Sequence, residues 1–443
     1  MNIQLSEHFT YGRLLRFSVP SLIMMVFSSI YGIVDGLFVS NVVGKLQFAA
    51  INIIFPVFMI IGAFGFMLGA GGTAIVSKTL GEGKRDTANE YFSLIVYVTA
   101  AVGAVTSVSG VLFLKPLASL LGAEGETLGY CVSYGRILLP AMPFFMLQNL
   151  FQSFFVAAER PKLGLFVTVM AGIANIVLDA LFIAVFNWEL VGAALATAIS
   201  QAVGGVVPLF YFGRKNSSLL KLTKTKFYKR ALFTSMLNGS SEFLSNISAS
   251  IVTVCYNLQL MRFAKEDGVA AYGVIMYISF IFIAVFIGYS ISTAPIVGFH
   301  YGAKNTAEIK SLLRKSLIIN LAGGTLMVIV CFAFAVPLSK IFVSYDKALL
   351  EMTVRGLRIF SLSFVLSGVS IFASSFFTAL NNGLVSAAIS VSRTLVFQSL
   401  LVLLLPLLFG LDGIWFSMLA AEILSVITAI VFLVTNRKKY GYM

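Results

Sequence analysis

The sequence predicts an all-α polytopic membrane protein of twelve transmembrane helices, arranged as two six-helix bundles related by an internal repeat. Three observations predict it. Of 443 residues, 59% are hydrophobic and only 11% are charged, with a mean hydropathy of +0.96; a soluble domain carries about 25% charged residues. Apolar runs long enough to cross ~30 Å of hydrocarbon recur along the whole chain, whereas a β-barrel would show short alternating segments. Finally, landmarks recur 221 residues apart: Ala50 and Ala271, Gly81 and Gly302, Pro116 and Pro337, Gly135 and Gly356, Gly192 and Gly413. Two similar membrane bundles facing each other across a cavity are a common plan for secondary transporters.

The first bundle, residues 1–213, holds spans near 14–39, 47–77, 89–114, 132–157, 163–185 and 191–213. A basic linker, 214–230, is the only long polar connection. The second bundle, 231–443, holds spans near 231–260, 268–298, 312–335, 353–380, 384–408 and 412–435. Six plus six spans put both termini on one side. The loops there carry 21 of the 31 basic residues, the opposite side carries nine, and Arg393 lies within a span. Excess Lys and Arg mark the cytoplasmic face, so both termini are expected inside a multi-pass cytoplasmic membrane protein. The net charge of +13 thus reads as a topology signal rather than a nucleic-acid footprint; the linker could also touch anionic headgroups.

Several function classes lose support. Cys131, Cys255 and Cys331 have no paired spacing, and His8 and His300 are isolated, so neither a disulfide framework nor a metal motif is expected. Residues 1–11 are polar and lack a small-residue cleavage pattern, so no cleavable signal peptide is expected. No catalytic triad or nucleotide loop is visible. Neither an enzyme nor an ATP-driven pump is expected, and no cofactor beyond a coupling ion.

The informative residues are charges within spans, each costing ~2.5–3.5 kcal/mol on insertion scales. Asp35, Asp179, Glu242, Glu422 and Arg393 qualify. Asp35 lies near the outer end of span 1, and Asp179 near that of span 5. Asn175 and Asp179 share one helix face. With Thr197 of span 6, these could meet at one level in the first bundle. Two carboxylates, an amide and a hydroxyl suit a hard cation such as Na⁺, and two close carboxylates would hold a shared proton. Their 221-offset counterparts, Tyr256, Val396, Leu400 and Met418, do not repeat the chemistry. Separate acids on three helices is the blander alternative. In the second bundle, Arg393 and Glu422 suggest a structural ion pair. Glu242 follows Asn238-Gly239-Ser240-Ser241 and is expected to face a cavity; it could contact a cationic substrate, take up protons or be structural. Pro20 should weaken the ladder of span 1 and favour a bend, as a hinge or a static kink.

Taken together, Pro20 and Asp35 in span 1, Gly81-Glu82-Gly83 after span 2, Asn175 and Asp179 in span 5, Thr197 in span 6 and Glu242 in span 7 resemble the multidrug and toxic compound extrusion (MATE) family over nearly the whole chain. The resemblance implies a monomeric antiporter of the inner membrane that exports lipophilic organic cations and drugs against inward H⁺ or Na⁺. It implies a cation site at Asp35, Asn175, Asp179 and Thr197, and bending of helix 1 near Pro20. The chain looks most like the bacterial multidrug-exporter branch, in which Glu159 of Ala158-Glu159-Arg160 also matters. One departure is that span 353–380 has no acid after Arg358, which removes a partner for a second Na⁺ site beside Glu242. Substrate is expected in an apolar cavity near the first-bundle acids. The rivals are a lipid-linked oligosaccharide flippase of the same superfamily, a major facilitator carrier and a non-transporting scaffold.

Overall fold

The computed structural model describes residues 3–38 and 43–442, without the side chains of positions 37, 38 and 45. The expected outer end of span 1, residue 39, lies outside the described residues. In the first bundle, α1 (Tyr11–Phe38), α2 (Lys45–Gly81) and α3 (Arg85–Leu120) are single helices. Span 4 is α4 (Gly125–Leu138) and α5 (Met142–Ala157), joined by a 3-10 turn at Leu139–Ala141. Pro140 and Pro143 lack the amide hydrogens that a regular helix would use there. Span 5 is α6 (Pro161–Asp179), which runs into a π-helical turn, Ala180–Val185; span 6 is α7 (Glu189–Gly213).

In the second bundle, α8 (Lys229–Gly302) is 74 residues long with a break at Lys265, φ 53°. Its two ends meet the same half of α2. A Cβ on Gly239 would lie 1.8 Å from the Met67 carbonyl oxygen, and one on Gly302 would lie 1.9 Å from that of Lys78. The helix therefore doubles back at Lys265 and supplies spans 7 and 8. Next come α9 (Thr306–Val343), then α10 (Lys347–Ser361) and α11 (Phe364–Ala379), bent by 47° as one span. Span 11 is α12 (Gly383–Val391), a π-helical stretch Ser392–Phe397 and α13 (Gln398–Leu404). Span 12 is α14 (Pro406–Tyr440), with an early reversal at Gly410, φ 58°. Counted this way there are twelve spans among the described residues. Leu112, Leu120, Phe233 and Ile341 are exposed, as lipid-facing side chains are.

The bundles meet most closely through α2 and α8. Gly81 packs against the Phe299 carbonyl and Gly302 against the Lys78 carbonyl, each at 1.9 Å from a would-be Cβ. Only glycine fits either place. These two glycines are the 221-offset pair, so the repeat builds a reciprocal lock at the end of the molecule that carries both termini. Ser292 Oγ donates to Ser18 Oγ at 2.7 Å, adding a bond between α8 and α1.

Two extended segments tie down that end. Residues 3–10 form a strap across both bundles. The Leu5 amide donates to Glu159 of the first bundle at 2.6 Å. The Phe9 amide donates to Glu308 of the second at 2.9 Å, His8 Nδ1 contacts Glu308 at 2.6 Å, and Lys315 Nζ donates to the Phe9 carbonyl at 2.6 Å. Leu5 and Phe9 are fully buried. The linker is held against α3: the Lys221 and Thr223 amides donate to Asn89 and Ser93, and Arg85 donates to the Ser218 and Leu219 carbonyls.

Candidate functional site

Helix 1 approaches span 5 because Gly172 leaves room for it. A Cβ there would lie 2.5 Å from the Phe27 ring and 2.9 Å from the Tyr31 ring. The two helices run in the same direction, so Asp35, one turn beyond Tyr31, comes level with Asp179, two turns beyond Gly172. The two carboxyl groups lie close enough to share one hydrogen bond. With no proton between them they have no donor: Asp35 Oδ1 and both Oδ atoms of Asp179 are buried without a partner. Across α7, Ser200 Oγ donates to the Ala171 carbonyl at 2.8 Å, and Gly192 abuts Phe182. In that antiparallel register Thr197 faces the turn of Asn175. Thr197 Oγ1 and Asn175 Nδ2 are likewise buried without partners. All four expected residues thus converge from α1, α6 and α7, with unsatisfied polar atoms among themselves. Asp179 is fully buried and ends α6, where the π-helical turn begins; such turns often mark functional positions.

Tyr134 of α4 lies within electrostatic reach of both acids, and Tyr31 lies beside Gln148 within reach of Asp35. Sequence reading missed both tyrosines and Gly172. A tyrosine in a membrane span is ordinary by composition, and only the packing shows what it faces.

A separate cavity of about 220 Å³ lies between the bundles. Met25, Phe66 and Thr73 line it from one side, and Glu242, Ser290, Ser370 and Arg393 from the other. The cavity wall is apolar over most of its area, as expected, with many hydroxyls set in it; Asp35 and Asp179 are not among its lining residues. Glu242 is. Arg393 pairs with Glu422, its Nη2 at 2.7 Å and Nε at 2.8 Å from the same Oε1, and Ser367 Oγ donates to that oxygen at 3.0 Å. Arg393 also reaches the cavity, a second face that sequence reading did not give it. It lies in the π-helical stretch of span 11, as Asp179 borders that of span 5.

Glu159 sits in the turn between α5 and α6 at φ 59°, outside the cavity lining. Burial pushes its carboxyl above the usual range, against the opposing pull of the Leu5 amide. The structure places it under the strap, in contact with Leu5. Pro20 is buried, and α1 continues as helix on both sides of it.

Twelve spans, an internal repeat and unsatisfied acids buried in one bundle define an integral membrane transporter of the two-bundle type. The sequence pattern of the MatE family matches residues 20–181 and again residues 243–404, once in each bundle. The chain belongs to the MatE family, the multidrug and toxic compound extrusion family. It is 26% identical over 437 residues to the multidrug export protein MepA of Staphylococcus haemolyticus, covering 97% of this chain and 95% of that protein. A MepA from Staphylococcus aureus is 26% identical over 436 residues, covering 96% and 94%. Among solved structures, an outward-facing MATE transporter of the MOP superfamily superposes with a TM-score of 0.93 at 22% identity, covering 99% of this chain and 98% of that one.

Proposed function

We propose that the protein is a secondary antiporter of the cytoplasmic membrane that exports lipophilic organic cations and drugs in exchange for inward H⁺ or Na⁺. The observation that carries the coupling site is the facing pair Asp35 and Asp179, buried with no cationic partner among the described residues. Facing acids in a dry site must hold a proton or a cation. The curated relatives are named as multidrug exporters, which supports the drug-export reading over an oligosaccharide flippase.

The mechanism follows from the two sites. The glycine lock and the strap close the end carrying the termini, which the basic loops assign to the cytoplasm. From outside, H⁺ or Na⁺ enters at Asp35 and Asp179, with Asn175 and Thr197 as further ligands for Na⁺. Filling the site removes the repulsion between the carboxylates and allows helix 1 to repack around Pro20, which narrows the cavity at Met25 and expels substrate outward. The lock and strap then release, the ion leaves inward, and a cationic drug enters the cavity at Glu242. Each charge crossing 100 mV contributes ~2.3 kcal/mol, and each pH unit ~1.4 kcal/mol, enough for gradients of roughly tenfold. The test is efflux of a fluorescent cation from proteoliposomes under imposed Na⁺ or pH gradients, applied separately. Wild type should follow one gradient, and Asp35→Asn and Asp179→Asn should follow neither. Variants that export like wild type would move the coupling site elsewhere.

A further inference from the structure

A groove of about 540 Å³ opens between α9 and α10 in the second bundle, apart from both sites described above. α9 leaves the terminus-bearing end and α10 returns from the far end, so the groove lies on the side that the basic loops assign to the exterior. Phe332 and Val336 of α9 form one wall, and both are exposed. The other wall is a stripe of α10. Lys347, Glu351, Arg355 and Arg358 recur at helical spacing and share one face, while Leu349, Leu357 and Phe360 bury the opposite face. The stripe runs from Lys347 to Leu362, at the 47° bend between α10 and α11. That is ~22 Å of helix, about the depth of one leaflet with its headgroup layer, roughly 20–22 Å. Lys347, Arg355 and Arg358 are three of the nine basic residues on the exterior side, gathered in one groove against the general bias of the chain. Asp412 pairs with Arg355. Glu351 offsets one further charge, although it forms no salt bridge among the described residues. One cation is left over. The Arg358 guanidinium makes no hydrogen bond or salt bridge to protein among the described residues, and it lines the groove ~16 Å of helix below Lys347. A charge at such depth costs up to ~2.5–3.5 kcal/mol unless it finds a partner or water. Helical side chains lean toward the helix N-terminus, which in α10 is the exterior end, so Arg358 extends up the groove toward the headgroup layer.

We propose that this groove holds one anionic phospholipid of the exterior leaflet, with an acyl chain along Phe332, Val336 and Leu362 and its phosphate accepting hydrogen bonds from Arg358. The apolar wall alone would accept any acyl chain. The charges decide the headgroup: three cations against two acids leave one positive charge, which matches a phosphodiester whose headgroup carries no ammonium, such as phosphatidylglycerol. A zwitterionic headgroup would bring an ammonium to a site whose remaining charge is positive. The guanidinium fork suits phosphate because two parallel donors can meet two of its oxygens. A lipid held there packs α10 against α9 beside the bend of span 10, and by mass action it stabilises the fold that forms the groove. The site is separate from the transport cavity, so the proposal stands or falls independently of the coupling ion and of the exported substrate.

The test uses phosphatidylglycerol with a diazirine in one acyl chain, at trace level in phosphatidylcholine nanodiscs that carry the purified full-length protein. Photolabelled peptides are quantified by mass spectrometry. The exposed faces of α3 at Leu112 and of α14 at Ile427 report lipids that only surround the protein. Residues 332–362 should label well above that reference. Unlabelled phosphatidylglycerol should compete the excess away, and phosphatidylcholine and phosphatidylethanolamine should not. Arg358→Gln, at an exposed position, should cut the excess by roughly tenfold, the scale of one charge-assisted hydrogen bond, and leave the reference unchanged. Val336→Trp fills the groove with every charge retained and should cut the excess likewise. In detergent, added phosphatidylglycerol should raise the thermal midpoint of wild type and not that of Arg358→Gln. Labelling no higher than the reference overturns the proposal and makes Arg358 a snorkelling surface charge. An excess competed equally by phosphatidylethanolamine, or one that survives Arg358→Gln, also overturns it and leaves an unselective acyl slot. Displacement by water-soluble glycerol phosphate would overturn the lipid as occupant.

Discussion

Removing Arg393 alone should destabilise the second bundle far more than removing it together with Glu422. The Glu422 carboxylate is fully buried; one of its oxygens accepts hydrogen bonds from Arg393 Nε and the Ser367 hydroxyl and lies 2.7 Å from Arg393 Nη2 in the ion pair. In Arg393→Met the carboxylate keeps only the Ser367 hydroxyl, so a charge remains in a dry site with one neutral donor. Breaking a buried pair from one side costs about 3–5 kcal/mol. Arg393→Met/Glu422→Leu removes both charges at similar volume. Ser367 is not stranded, because its one hydroxyl hydrogen can turn to the Ser363 carbonyl, 3.0 Å away. The double variant should therefore fall within about 1–2 kcal/mol of wild type, roughly 2–3 kcal/mol more stable than Arg393→Met alone. The assay is unfolding free energy in bicelles by steric trapping, with the thermal midpoint in detergent as a quick parallel. The reasoning is refuted if Arg393→Met costs under about 1 kcal/mol, or if the double variant is no more stable than the single one.

Gly172→Val should push helix 1 off span 5, since even a Cβ would meet Phe27 at 2.5 Å. Overpacking of that kind costs about 1–3 kcal/mol, and ion-coupled efflux should fall with stability. Gly302→Leu cannot coexist with the Lys78 carbonyl 1.9 Å from its Cβ, so it should open the lock; cysteines introduced in the cavity should then label from the terminus-bearing side, and unchanged labelling would contradict this. Glu308→Ala removes the acceptor for both His8 and the Phe9 amide. Hydrogen exchange across residues 3–10 should then rise at least tenfold, which corresponds to ~1.4 kcal/mol, with little change in the transmembrane helices.

The twelve spans and the basic-loop asymmetry were legible because hydrocarbon imposes length and apolarity on every crossing. The acids stood out for a related reason, that a charge in a span needs a purpose. Which charges meet was less legible. Asp35 and Asp179 converge because Gly172 accepts the Phe27 and Tyr31 rings, and that register depends on shapes from two distant stretches. Arg393 and Glu422 were readable as a pair because neighbouring spans leave little choice. The cavity face of Arg393 was not, since hydropathy carries no direction. The strap was invisible because Leu5 and Phe9 sit in a polar segment whose burial depends on both bundles. The π-helical stretches have no pattern of their own, being adjustments within otherwise ordinary helices.

The central claim is that Asp35 and Asp179 hold the ion that substrate binding expels, and ion release measures it most directly. Purified protein in weak buffer with a pH indicator, or loaded with radioactive sodium, is mixed with a cationic drug. The account predicts release of H⁺ or Na⁺ on binding by wild type, and no release from Asp179→Asn while that variant still binds drug at Glu242. Release undiminished in Asp35→Asn and Asp179→Asn, or drug binding without release in wild type, would contradict it.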